Sequence, residues 1–106
     1  MKLELRSKKV EMTGKLRHFT EKKLRFALGR FSHRIQRVRV LLTDINGPRG
    51  GEDIECHIRA NLGRAGDITI KETRGDVFAA VARASERASH HLSRRLSRAR
   101  AGRRGR

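Results

Sequence analysis

Asp53-Ile54-Glu55-Cys56-His57-Ile58-Arg59-Ala60-Asn61-Leu62 places an apolar side chain at every second position. In an extended chain Ile54, Cys56, Ile58, Ala60 and Leu62 share one face, and Glu55, His57, Arg59 and Asn61 share the other. A strand with one oily and one polar side belongs in a sheet that is covered on one face and wet on the other. The neighbouring segments repeat the pattern. Residues 35–44 turn Val38, Val40 and Leu42 inward and Arg37, Arg39 and Leu41 outward, and residues 67–73 turn Ile68 and Ile70 inward and Thr69 and Lys71 outward. Asn46-Gly47-Pro48-Arg49-Gly50-Gly51 reads as the turn before the quoted strand, and residues 63–66 as the tight connection after it. Residues 2–6 alternate as well, with Leu3 and Leu5 on one side and Lys2, Glu4 and Arg6 on the other.

Two stretches change period. Thr13 is a natural N-cap for a helix running to about Gly29, a plausible stop. Leu16, Phe19, Thr20, Leu24, Ala27, Leu28 and Phe31 share a face at helical spacing, Lys15, His18, Lys22 and Arg25 lie opposite, and Phe26 falls at the edge. Gly14 is a costly residue near a helix start. A second helix opens at Gly75-Asp76, with Asp76 at its positive end. Phe78, Val81, Ser85, Ala88, Leu92, Leu96 and Ala99 gather on one side of it, and Arg83, Arg87, His90, Arg94 and Arg98 roughly opposite. The order is therefore β-α-β-β-β-α. A right-handed crossover makes the first two strands parallel, and an antiparallel meander completes a four-stranded mixed sheet. Both helices then cover one face, which is a two-layer α/β (α+β) sandwich. Residues 1–100 are expected to form this single domain, and residues 101–106, reading Ala-Gly-Arg-Arg-Gly-Arg, a disordered basic tail.

The chain has 106 residues with 27 Lys+Arg against 11 Asp+Glu, a formal net charge of +16. Such a surplus calls for a polyanionic partner, of which nucleic acid is the usual one. The surplus sits at the two ends of the chain, while residues 31–75 are nearly balanced. Like charges spaced i,i+4 on a helix repel, so the arginine stripe on the second helix costs stability until a polyanion neutralises it. Arginine's planar fork suits phosphate. Lys15, Lys22, Lys23, Arg25 and Arg30 on the first helix extend the same basic surface. With four Phe and no Trp or Tyr, base-stacking platforms are scarce, which favours reading of shape and backbone in structured RNA.

Other chemistries find little support. Cys56 faces inward as a small core residue, and a single cysteine leaves no internal disulfide. His57 points away from Cys56, and His90 and His91 diverge by about 100° on their helix, so they read as extra donors beside the arginines rather than as metal ligands. No nucleophile motif, carboxylate pair or phosphate-binding glycine loop is present, so no enzyme activity, metal or cofactor is expected. No apolar run suits a membrane span, and the chain begins directly in a strand-like segment, so a cytoplasmic protein is expected.

Several strings, in order, resemble one family. They are Val10-Glu11-Met12-Thr13, Glu21-Lys22-Lys23-Leu24, Phe31 followed by residues 35–42, and Asp76-Val77-Phe78-Ala79-Ala80-Val81, which is similar to the family's Asp-Met-Tyr-Ala-Ala-Ile. Over residues 1–98 the chain resembles the short form of the ribosome hibernation promoting factor and ribosome-associated inhibitor family, the form without the second domain that pairs ribosomes. The resemblance implies a protein that binds the small ribosomal subunit through 16S rRNA, fills the channel of mRNA and tRNA, and shuts off translation under stress or in stationary phase. It implies no small-molecule substrate, and a monomer is expected. By position it carries rRNA contacts onto Lys22, Lys23 and Arg25, and onto Arg87, His90, His91, Arg94, Arg95 and Arg98. Arg30 and Arg83 join them on helical periodicity alone. Ala84, Ser85 and Ala88 stand where the family tends to have larger aliphatics, so looser packing of the second helix is expected.

Two other classes compete. A general double-stranded-RNA module shares an α-β-β-β-α core, but its last helix usually starts with a lysine cluster, where this chain has Gly75-Asp76-Val77-Phe78. A protein-interaction role for the open sheet face meets a mixed surface of Arg37, Leu41, Glu55 and Arg59 without a large apolar patch.

Overall fold

The computed structural model describes residues 1–46 and 53–104, with side chains as far as Arg98. Strand β1 (Lys2–Lys8) leads to helix α1 (Gly14–Leu28), then a 3-10 segment (Gly29–Arg34), strands β2 (Arg37–Asp44), β3 (Ile54–Asn61) and β4 (Asp67–Arg74), and helix α2 (Val77–Arg104). The sheet order is β1-β2-β3-β4. β1 runs parallel to β2, and the β2–β3 and β3–β4 pairs are antiparallel. This is the mixed sheet that the alternation predicts.

Register follows from the inward residues. Val38 pairs with Ala60, Val40 with Ile58 and Leu42 with Cys56 across β2 and β3, while Ile58 faces Ile70 and Ala60 faces Ile68 across β3 and β4. A slip of one residue would send this whole set to the wet face. Leu16, Leu24 and Leu28 of α1 and Ala80, Val81, Ala84, Ala88, Leu92 and Leu96 of α2 close over it in a single core. α2 packs on β3, β4 and α1. Ala84, Ser85 and Ala88 are buried, and Ser85 lies beneath the depression lined by Phe26 and His90. Among the described residues, two buried hydroxyls are satisfied locally. Thr20 Oγ1 donates to the Leu16 carbonyl at 2.8 Å, and Ser85 Oγ to the Val81 carbonyl at 2.8 Å.

Both helices start where the caps indicate. Leu16 N donates to Thr13 Oγ1 at 3.1 Å, and Ala79 N donates to Asp76 Oδ2 at 2.9 Å. Phe31 is half-buried, but it lies in the 3-10 segment rather than in α1. The turn read at residues 46–51 falls outside the described residues after Asn46. That residue donates to Asp44 Oδ1 at 3.1 Å through its backbone N–H, and to Asp53 Oδ2 at 2.8 Å through its side chain. At the other end α2 runs to Arg104. Arginine and alanine are good helix formers, and one glycine at 102 costs only about 1 kcal/mol of propensity.

The open face of the sheet is laid out by the same register. Arg39 stands directly opposite Arg59 across β2 and β3. Glu4 on β1 answers Arg39 at 3.2 Å and Arg37 at 3.5 Å, and Asp67 on β4 holds Arg59 at 2.9 Å. The two outermost strands, β1 and β4, expose Lys2, Arg6 and Lys8, and Lys71 and Arg74.

Candidate nucleic-acid interface

The outer surface of α1 follows from what its inner surface buries. With Leu16, Thr20, Leu24 and Leu28 turned into the core at i,i+4 steps, Lys15, His18, Lys22, Lys23, Arg25 and Phe26 are left exposed. On α2 the inward row of Val81, Ala84, Ala88, Leu92 and Leu96 leaves Arg83, His90, Arg94 and Arg98 exposed. Because the helices pack against each other on one side of the sheet, these outer faces meet.

They meet in three adjoining shallow depressions. Lys15, His18, Phe19, Lys22 and Phe78 line the first. Lys23, Phe26 and Ala27 from α1 face Ala82, Glu86, Ser89 and His90 from α2 across the second. Arg30, His90, Ser93 and Arg94 line the third. His90 belongs to both the second and the third, and Lys23 of the second lies over the Phe19 ring of the first, so the surface is continuous. Aromatic rings position several of its cations. Phe19 and Phe78 pack edge-to-face with centroids 5.0 Å apart. Lys23 Nζ lies 5.7 Å from the Phe19 ring and Lys15 Nζ 6.0 Å from the Phe78 ring, while the Arg30 guanidinium lies 4.6 Å from the Phe31 ring. Ring contacts hold these side chains in place without cancelling their charge.

The structure divides the eleven residues singled out from the sequence. Lys22, Lys23, Arg25, Arg30, His90, Arg94 and Arg98 are exposed, and among the described residues none of them meets a carboxylate. Arg83 is exposed but pairs with Glu86 at 2.9 Å. Arg87 is turned back on the fold. Its Nη1 donates to Glu72 Oε2 at 2.7 Å and to the Lys71 carbonyl at 2.7 Å, fastening α2 to β4. Glu72, whose side chain is 13% exposed, also holds Arg74 at 2.9 Å. The hydrogen bond from Arg87 keeps the Glu72 carboxyl below its usual range against the opposing effect of burial, and Arg74 adds to the lowering. Arg95 is likewise engaged, donating to the Ala65 carbonyl at 2.9 Å over the turn Gly63–Ala65. His91 is half-buried, and burial with Arg94, Arg87 and His90 nearby pushes its imidazole toward the neutral form.

Phe26 is the residue that helical periodicity leaves at a boundary. It is 89% exposed, and it sits in the second depression between Lys23 and His90. Its signal in the sequence is its placement three residues after Lys23 and four after Lys22, on the basic side of the wheel. Cys56 is buried in the core, and burial with Glu55 and Glu72 nearby pushes its thiol up to about 12. Among the described residues no group of three or more His, Cys, Asp or Glu side chains is placed to hold a metal ion, and no helix is long and apolar enough to cross a membrane.

Comparison with known proteins gives the surface its setting. No curated protein matches the sequence. Among solved structures, the ribosomal subunit interface protein from Coxiella burnetii superposes with a TM-score of 0.75 at 17% identity, covering 92% of this chain and 99% of that one. The Protein Y N-terminal domain of Thermus thermophilus superposes with a TM-score of 0.69 at 24% identity, covering 89% and 98%. At these identities the likeness is one of fold. The sequence itself matches, over residues 3–100, the family described as Sigma 54 modulation protein / S30EA ribosomal protein. Nearly the whole chain lies within that match, and the β-α-β-β-β-α sheet with its paired basic helices agrees with it: the chain belongs to the Sigma 54 modulation protein / S30EA ribosomal protein family.

Proposed function

We propose that this protein is a non-enzymatic, cytoplasmic, monomeric ribosome-binding factor that inhibits translation by occupancy. The outer faces of α1 and α2 dock on 16S rRNA of the small subunit and fill space that mRNA and tRNA need, as a hibernation response to stress or stationary phase. One observation carries the reading. Lys22, Lys23, Arg30, His90 and Arg94 line adjoining depressions on a single surface built by two helices. A surface of unpaired cations costs self-repulsion in the free protein and gains when phosphates replace their counterions. The family match supports the ribosome as the source of those phosphates. Arg87, Arg95 and Arg83 act in this scheme mainly as fastenings and local pairs, and the contact falls to the remaining cations.

The test is sedimentation of purified protein with small subunits at moderate salt, alongside in vitro translation. Binding with reduced translation supports the proposal, and absence of both sinks it. Equal affinity for arbitrary RNA duplexes and for subunits would favour a general double-stranded-RNA module instead. Against that alternative stands the start of α2, where Asp76 caps the helix and no lysine cluster is present.

A further inference from the structure

Of the four phenylalanines, three have evident partners. Phe19 and Phe78 pack on each other and carry Lys23 and Lys15 over their faces, and Phe31 lies under the Arg30 guanidinium. Phe26 makes no ring or cation contact among the described residues, and at 89% exposure it contributes nothing to the core. Nor does the helix need it, since Lys, Gln or Ala would serve α1 better there. A lone exposed apolar residue is ordinary on a protein surface. Phe26 differs in its surroundings. Its depression is bordered by Ala27 on its own helix and by Ala82 and Ser89 on α2, all short side chains that leave the ring uncovered. Lys23, His90 and Glu86 line the same depression, Glu86 being paired with Arg83, and Arg30 and Arg94 line the next, so the cationic side chains outnumber the one carboxylate. An apolar protein partner has no use for the positive charge of Lys23, Arg30 and Arg94 around it. A nucleotide matches both parts, because its phosphates meet the cations while its base has a flat face to lay on the phenyl ring.

We propose that Phe26 is a stacking platform for one unpaired nucleobase of the RNA held across α1 and α2, an assignment that rests on the RNA-docking function proposed above. Lys23, His90 and Arg94 hold the backbone on either side of that nucleotide. Every base has a π-face, so the platform selects an unstacked nucleotide, in a loop or bulge, over a paired one rather than one base over another.

The experiment measures affinity for small subunits as a function of salt, for wild type, Phe26→Ala, Phe26→Leu, Phe26→Tyr and Arg94→Ala. Stacking predicts that Phe26→Ala and Phe26→Leu each lose about five- to hundred-fold in affinity, with the salt slope unchanged. Phe26→Tyr retains wild-type affinity, whereas Arg94→Ala loses affinity with a shallower slope. The chain has no Trp or Tyr, so Phe26→Trp supplies a single emitting side chain, and its fluorescence falls when the protein is saturated with a short oligoadenylate. Wild-type affinity in Phe26→Ala, or unchanged Trp emission at saturation, overturns the stacking assignment while leaving the docking reading intact. Retention of affinity by Phe26→Leu overturns it too, in favour of an apolar contact with protein. Failure of wild type to bind subunits overturns both.

Discussion

At the scale of single residues, the arginines of α2 separate into those that face outward and those that hold the fold. Arg87 joins α2 to β4 through Glu72 and the Lys71 carbonyl. Replacement by alanine breaks both contacts and leaves Glu72 with Arg74 alone. Its side chain is 35% exposed, so solvent screening limits the loss to about 1 kcal/mol, readable by urea unfolding at neutral pH. The carboxyl of Glu72 is held below its usual range, so the pair's contribution is full above the ordinary carboxylate value and is lost as pH falls through the lowered one. The stability gap between wild type and Arg87→Ala therefore narrows on acidification to what the hydrogen bond to the Lys71 carbonyl contributes, and a gap that does not change with pH would place the effect outside the Glu72 pair. Cys56 offers a second check at this scale. With its thiol pushed up to about 12 and its side chain fully covered, alkylation at mildly basic pH is expected to follow unfolding, so labelling should be slow in buffer and fast in urea.

At the scale of elements, two glycines show how far local conformation decides the outcome of one methyl group. Gly14 opens α1 without a positive φ, and nothing lies within 4 Å of the place a methyl group would take, so Gly14→Ala is expected to stabilise by about 0.5 kcal/mol through the unfolded chain. Gly66, between the turn Gly63–Ala65 and β4, has φ 87° and ψ −159°, a region essentially closed to other residues. A methyl there also meets Arg95 Nη1 at 3.0 Å. Gly66→Ala should cost roughly 1–3 kcal/mol, and thermal unfolding of the two variants should move in opposite directions. The elements themselves are largely legible in the sequence. Period-two alternation at Val38, Val40 and Leu42 and at Ile54, Cys56, Ile58 and Ala60 fixes strands and inward faces together, and Thr13 and Asp76 mark both helix starts. The 3-10 segment Gly29–Arg34 is not legible, because helical spacing from Leu28 to Phe31 does not distinguish a continuing α-helix from a tighter turn.

At the scale of the molecule, the outer faces of α1 and α2 form one basic surface, as the wheels imply, and Arg83, Arg87, Arg95 and His91 are in addition engaged within the fold or half-buried. A helical projection reports which side a residue is on; it does not report that Arg87 is reached by Glu72 from β4, that Arg95 folds over the Ala65 carbonyl, or that burial pushes His91 toward its neutral form. Those are contacts between elements distant in sequence. Phe26 is hidden for the same reason, since its exposure depends on Ala82 and Ser89 across the groove. For subunit binding, Lys22→Ala, Arg94→Ala and Arg98→Ala are each expected to flatten the log–log dependence on salt by roughly 1, as one phosphate contact is lost. Arg83→Ala, already paired with Glu86, is expected to change that slope less. Measurement of affinity between about 50 and 200 mM salt, a range over which several contacts are worth orders of magnitude, separates these cases.

The rims of the sheet carry one more consequence. β1 and β4 are the edge strands and offer backbone groups to any other strand, an open invitation to stack copy upon copy, with the Lys71 carbonyl of β4 already taken by Arg87. Lys2, Arg6 and Lys8 on one rim and Lys71 on the other, beside the Arg74–Glu72 pair, give approaching copies the same sign of charge. Colloidal stability thus draws on the basic excess that also favours a polyanion, and charge-neutralising substitutions along these rims are expected to shorten the protein's life as a clear concentrated solution.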